Sequence, residues 1–119
     1  MVFGTVGASG YPQMTIVWFD YANGVFKIST TTDRVKYKNA SREARVALVV
    51  YDRGNPYRYV QVRGRVTSMI KEGAHDFIDY LSRRYTGNAT YKYDPERTQD
   101  RVIITVTPER FYSVGFAET

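Results

Sequence analysis

Apolar and polar positions alternate with a period of two through most of this chain and shift to a helical period in two places. Residues 2–7, VFGTVG, read as a short strand, and ASGYP after them reads as a turn punctuated by Gly10 and Pro12. Residues 13–20, QMTIVWFD, predict a second strand; TIVWF is nearly continuous apolar, so both of its faces are expected to be covered. Asn23-Gly24 predicts a tight hairpin, because both residues tolerate positive φ, and residues 25–31, VFKISTT, form the partner strand. Residues 33–42 predict a short helix with Asp33 as its N-cap. RVALVVYD, 45–52, is an apolar strand too short for a typical buried helix, and RGNP breaks it. Residues 57–70 alternate over a long stretch, with Gly64 inviting a bulge. The period then changes. Ala74, Phe77, Ile78, Leu81 and Tyr85 form one stripe of an amphipathic helix over 72–86, and Gly87 is a natural stop. A polar, tyrosine-bearing loop, NATYKYDPERTQD, leads into a strand over 101–106; Pro108 is expected to interrupt it before RFYSVGF closes the chain.

Six or seven strands, mostly joined by hairpins, and two helices make a mostly β (α+β) domain of 119 residues. Such chains close into small barrels, because closure removes exposed strand edges. No repeat, low-complexity tract or linker divides it, so residues 1–119 are expected to be one domain. Eleven tyrosines and six phenylalanines fit β-rich structure, and the lack of cysteine excludes a disulfide framework and a thiolate metal site. No apolar run approaches the length that spans a bilayer, so no membrane partner is expected. The start of the sequence shows no charged segment followed by a long apolar run, which makes the cytoplasm the default location and the NAT sequence at 88–90 a chance match to a glycosylation site.

The formal charge of +5 and a pI near 9.5 suit an anionic partner, although a merely basic surface is the simpler reading until the charges are shown to cluster. Side-chain chemistry has few candidates. The single histidine, His75, falls beside the apolar stripe of the second helix and is expected to face solvent. With no cysteine, no nucleophile-elbow serine, no P-loop and no GxGxxG, neither a metal site nor a catalytic residue is predicted. An enzyme of this composition would leave the hard step to a cofactor. One segment stands out: STTTDRVKYKN, residues 29–39. A strand delivers Ser29, Thr30 and Thr31, a helix begins near Asp33, and Arg34, Lys36 and Lys38 follow. Unpaired amides at a helix start, hydroxyls, an Arg fork and a mobile Lys charge together suit a phosphate. The three cations cannot share one helical face, but Arg34 and Lys36 do if the chain is still extended there. A phosphate site and a solvated basic helix both fit this pattern. A second basic set, Arg58, Arg63 and Arg65 with Tyr57 and Tyr59 interleaved, fits single-stranded nucleic acid or simply the wet face of a strand, and no RNP-like motif or zinc knuckle raises the nucleic-acid reading.

TVGASGYPQMTIVWFDYANGVFKIST followed by RVKYKNASREARVALVVYD resembles the pyridoxamine 5′-phosphate oxidase-like split β-barrel proteins, and RYVQVRGRV with RRYTG is most similar to the branch that uses the deazaflavin coenzyme F-420. The resemblance covers almost the whole chain and lies in the order and spacing of its parts. It implies a split β-barrel homodimer with two equivalent cofactor grooves at the interface. Lys36 and Asn39 match the family's most recognisable phosphate-end positions, Arg34 and Lys38 neighbouring basic ones, and Ser29 and Thr30 the polar end of the strand. The ring is implied to lie along Thr15, Val17 and Trp18, held largely by backbone groups. Tyr57, Arg58 and Tyr59 match a segment that reaches over from the partner subunit. Family members also carry a helix ahead of the first strand, whereas this sequence opens almost directly with VFGTVG.

The expected function is therefore a deazaflavin-dependent oxidoreductase that passes hydride between coenzyme F-420 and a small organic molecule. FMN presents the same phosphate and flat tricycle, so an FMN oxidase or flavin reductase of the same fold is the alternative, and a nonenzymatic cofactor-binding protein is the third reading.

Overall fold

The alternating pattern is realised as one seven-stranded sheet, every pairing antiparallel, with two helices, in a computed structural model that describes residues 1–116. The elements run β1 (Val2–Val6), β2 (Pro12–Ile16), β3 (Phe19–Ala22), β4 (Val25–Thr31), α1 (Val35–Arg42), β5 (Arg45–Tyr51), β6 (Tyr59–Ile70), α2 (Ala74–Thr86) and β7 (Arg101–Val114). The sheet order is β2-β1-β5-β6-β7-β4-β3. Its two edge strands, β2 and β3, are neighbours in sequence, separated only by Val17 and Trp18. A sheet whose opposite edges are joined by two residues must curl until those edges meet. The result is the expected split barrel, closed by the chain itself where a hydrogen-bonded ladder is missing.

That link corrects the sequence reading of 13–20 as one strand. Its first half pairs with β1, through Phe3 opposite Thr15, and its second half with β4, through Phe19 opposite Ile28. At the junction the Val17 amide donates to the Met1 carbonyl at 2.9 Å, and the Val17 side chain is buried in the core. The Asn23-Gly24 turn forms as predicted, with φ of 54° and 79°. Phe3, Ile28, Leu48, Val62, Val102, Ile104 and Val106 fill the barrel, each 2% exposed or less.

Two further corrections have local causes. Pro108 does not break the last strand: it sits opposite Gly64 at a bulge, where Arg63 pairs with Arg110 and Glu109 is the extra residue. A residue without an N–H is tolerated at such a point, so β7 runs unbroken from Arg101 to Val114. Helix α1 starts at Val35, with Arg34 rather than Asp33 as the N-cap, because the Asp33 carboxylate already accepts the Thr31 hydroxyl. The second helix ends as read, in a left-handed Gly87 whose amide donates to the Arg83 carbonyl at 3.1 Å. Among the described residues no helix is long and apolar enough to cross a membrane.

Candidate functional site

Strand β4 builds the site by alternation. Phe26 and Ile28 point into the barrel core, which leaves Ser29 and Thr31 on the opposite face, under α2. There a cavity of about 320 Å³ opens between β4, α2 and the loop before β7. Ile78 and Leu81, two residues of the helix's apolar stripe, form one wall, and Tyr91 and Tyr93 of the loop form another. Trp18, stacked on Tyr85 of α2 at 5.4 Å, closes the side nearest the link between β2 and β3. Arg34, Lys36 and Arg101 supply the charge. No Asp or Glu lines the cavity, and none of these three cations has a salt-bridge partner among the described residues.

Arg34 is still extended, with φ −79° and ψ 146°, and Lys36 lies in the first turn of α1. Both also border a second hollow, of about 340 Å³, on the side of Gln13 and Thr15. The pair therefore forms a cationic partition between two depressions. Lys36 is half-buried, and burial followed by repulsion from Arg34 holds its ammonium pKa below the ordinary lysine value. An anion at this point relieves both effects. Among the described residues two buried side-chain polar atoms lack a protein partner, the Thr15 Oγ1 and the Arg101 Nε, and each belongs to a residue lining one of the two hollows. Orphaned polar atoms at both ends of a cationic partition fit a ligand that is polar at several points.

Of the residues read from the sequence, the structure brings Val17, Trp18, Ser29, Thr30, Arg34 and Lys36 to the cavity and Thr15 to the adjoining hollow. Others lie elsewhere. Asn39 is buried and committed to the fold: its side-chain amide donates to the Thr5 hydroxyl at 3.1 Å, and its carbonyl accepts from Arg42 at 3.2 Å. Lys38 is exposed, one step farther round α1, and does not line the cavity. Tyr57, Arg58 and Tyr59 sit where β6 begins, outside the cavity; Arg58 pairs with Asp52 at 3.4 Å and covers the Phe116 ring at 5.0 Å. His75 is half-buried rather than solvent-facing, in a separate hollow with Asp79 and Asp94. In the second basic set, Arg65 lies 3.8 Å from Glu109 and Arg63 covers the Tyr112 ring at 5.4 Å.

Sequence reasoning missed Arg101, Tyr91 and Tyr93. Arg101 reads as the polar start of an apolar strand. Only the pairing of β7 with β4, which sets Arg101 opposite Thr31, carries it to the segment singled out from the start.

The fold agrees with comparisons to known proteins. The family described as pyridoxamine 5′-phosphate oxidase matches residues 1–115. A solved structure named "F420 Reductase" is 35% identical, with 93% of this chain and 86% of that one aligned at a TM-score of 0.83. A conserved hypothetical protein from Mycobacterium tuberculosis is 23% identical over 95% of this chain and 74% of its own, at a TM-score of 0.73. A heme storage protein from Vibrio cholerae is 16% identical over 97% and 85%, at 0.75. The last two share the fold. No curated protein matches the sequence.

Proposed function

The chain belongs to the pyridoxamine 5′-phosphate oxidase family, and from that premise we propose that it is an oxidoreductase that binds coenzyme F-420 and serves hydride transfer to or from a small organic molecule. The observation that carries this reading is the Arg34–Lys36 partition, unpaired by any described carboxylate and set between two hollows, each lined by a residue with an orphaned buried polar atom. The likeness to a protein named an F420 reductase favours the deazaflavin over FMN.

The chain's own part in the reaction is binding and exclusion. Arg34 and Lys36 hold the phosphate end, helped by the unpaired amides at the start of α1. The Thr15 hydroxyl, buried without a partner among the described residues, would help to orient the coenzyme. Trp18 is held by its stack on Tyr85, whose hydroxyl in turn donates to the Phe19 carbonyl at 3.2 Å, so this wall is rigid. Tyr91 and Tyr93, with Ile78 and Leu81, keep water from the reacting face. The hydride chemistry would be the coenzyme's, and among the described residues no carboxylate or imidazole lines the cavity to take a proton from the Ser29 hydroxyl, which accepts from Arg101 at 2.9 Å.

The reading includes a homodimer. On β2 the apolar Met14 and Ile16 point away from the core, 61% and 77% exposed, with Ile16 also lining the cavity, while the polar Gln13 and Thr15 turn inward. That inverted alternation is what a strand shows when a second chain covers its outer face. Tyr57, Arg58 and Tyr59, remote from their own cavity, would then serve the partner's.

Titration of the purified protein with both cofactors tests the proposal. Quenching of deazaflavin fluorescence at micromolar coenzyme is expected, and a preparation that is yellow with tightly bound FMN would instead establish the flavin alternative. Arg34→Ala combined with Lys36→Ala is expected to leave the fold intact and to weaken coenzyme binding by about 1.5–3 kcal/mol for each charge-assisted hydrogen bond removed. An unchanged dissociation constant in that double variant would mean that these two cations do not hold the coenzyme.

A further inference from the structure

Arg101 is 7% exposed, yet no carboxylate neutralises it among the described residues. Its neighbours do not lack acids. Asp100, next in sequence, is engaged by Lys71 at 3.0 Å and Thr32 at 2.9 Å. Asp79 is taken by Arg97 and by the Tyr91 amide. Asp94 accepts from the amides of Thr98 and Gln99 at 3.0 and 3.1 Å. Each acid is spent elsewhere, and the last of them serves to fix Gln99. The guanidinium is held only by neutral groups: one terminal nitrogen donates to the Ser29 hydroxyl at 2.9 Å, the other to the Gln99 side-chain carbonyl at 2.5 Å, and its plane covers the Tyr91 ring at 4.9 Å. Two of its five N–H groups are thus accounted for by protein acceptors, and the buried Nε has none. A buried guanidinium is costly unless a charge answers it. Here it is braced on three sides and faces a cavity that no acid lines among the described residues.

We propose that Arg101 forms an anion subsite of its own, built from β7, Ser29 and Gln99, that receives a carboxylate carried by a small ligand of this cavity. The planar fork matches a carboxylate, and Tyr91 and Tyr93 line the cavity beside it. Two sources fit this chemistry: the acidic glutamyl tail of the coenzyme, or a carboxylate on the hydride acceptor. The choice between these sources rests on the cofactor reading above, whereas the subsite itself rests on Arg101.

The test uses the full chain and two probes of equal shape, benzoate and uncharged benzamide, titrated by calorimetry. Wild-type protein is expected to bind benzoate at least tenfold tighter than benzamide, and Arg101→Gln to abolish that preference. Equal binding of the two probes by wild type overturns the proposal without any variant, so a misfolded Arg101→Gln cannot rescue it. Arg101→Lys, which keeps the charge but loses the fork, is expected to retain only part of the preference. The coenzyme is then titrated with its glutamyl tail and cut back to its phosphate. A tenfold or larger loss in Arg101→Gln for the tailed form alone assigns the subsite to the coenzyme. Unchanged affinity for both forms, with Arg101-dependent benzoate binding to the loaded protein, assigns it to the acceptor. A folded Arg101→Gln that alters neither the probe preference nor either coenzyme affinity shows Arg101 to be a structural strut and ends the proposal. Benzoate binding in a protein that takes neither deazaflavin nor FMN would sink the cofactor reading and leave the subsite standing.

Discussion

Lys36 carries a pH dependence whose sign follows from its surroundings. Burial, and then the charge of Arg34, depress its pKa in the free protein. A bound phosphate raises that pKa again, so binding takes up a proton in the interval between the two values. Affinity for the coenzyme is expected to be full below the free-protein pKa and to fall as pH rises toward that of the complex. For folding the slope is reversed: the unfolded lysine holds its proton to higher pH than the folded one, so Lys36 makes the free protein more stable as pH rises through the same region. Coenzyme titrations from neutral to alkaline pH check the binding prediction, with Lys36→Arg as the control that should stay flat; a level wild-type profile would contradict it. Arg34 and Lys36 were legible in the sequence because a basic cluster built from residues close together in the chain leaves a local pattern. Arg101 was not, since its role depends on a strand pairing about seventy positions away in the chain. Asn39 shows the opposite case. It fits the family's motif, but its side chain is spent on Thr5 and Arg42, tying α1 to β1.

At the level of elements, periodicity located the strand-forming stretches and both helices, and the failures, β2 merged with β3 and β7 divided at Pro108, lie at junctions. Residues 13–20 are one apolar run that serves two partners, and nothing local marks Val17 as the point of exchange. Pro108 reads as a strand breaker until a bulge is set opposite it. Gly64 reads as a bend and is one, and the close approach there requires it: a Cβ would meet the Val106 Cγ1 at 2.8 Å and the Thr107 carbonyl at 2.9 Å. Gly64→Ala is therefore expected to cost about 1–3 kcal/mol of overpacking, seen as a lowered urea midpoint. The bulge also shifts the register of β7. A midpoint equal to wild type would mean that the β6–β7 ladder yields more readily than this close packing implies.

For the whole molecule, the outward Met14 and Ile16 lead to a prediction about assembly. A hollow of about 530 Å³, which includes Val6, Pro12 and Met14, continues the face from Met14 across β1 to a rim that carries Arg45, Arg63 and Glu109. Met14→Glu is expected to convert a dimer to monomers in sedimentation velocity, and to weaken coenzyme binding if Tyr57, Arg58 and Tyr59 act across the interface. Wild-type protein that sediments as a monomer at high concentration would refute the two-fold arrangement. Barrel closure was foreseeable from strand count and hairpin connections, whereas the position of the seam was not.

That seam has its own consequence. Val17 plugs the core and Trp18 faces the cavity, so the two residues that join the rims of the sheet also form part of the ligand's wall. Whatever presses on Trp18 from inside the cavity braces the join, and prising the rims apart would first have to evict the guest. A guest that binds only the closed barrel is thus expected to raise its melting temperature, and to go on raising it with concentration after every site is filled.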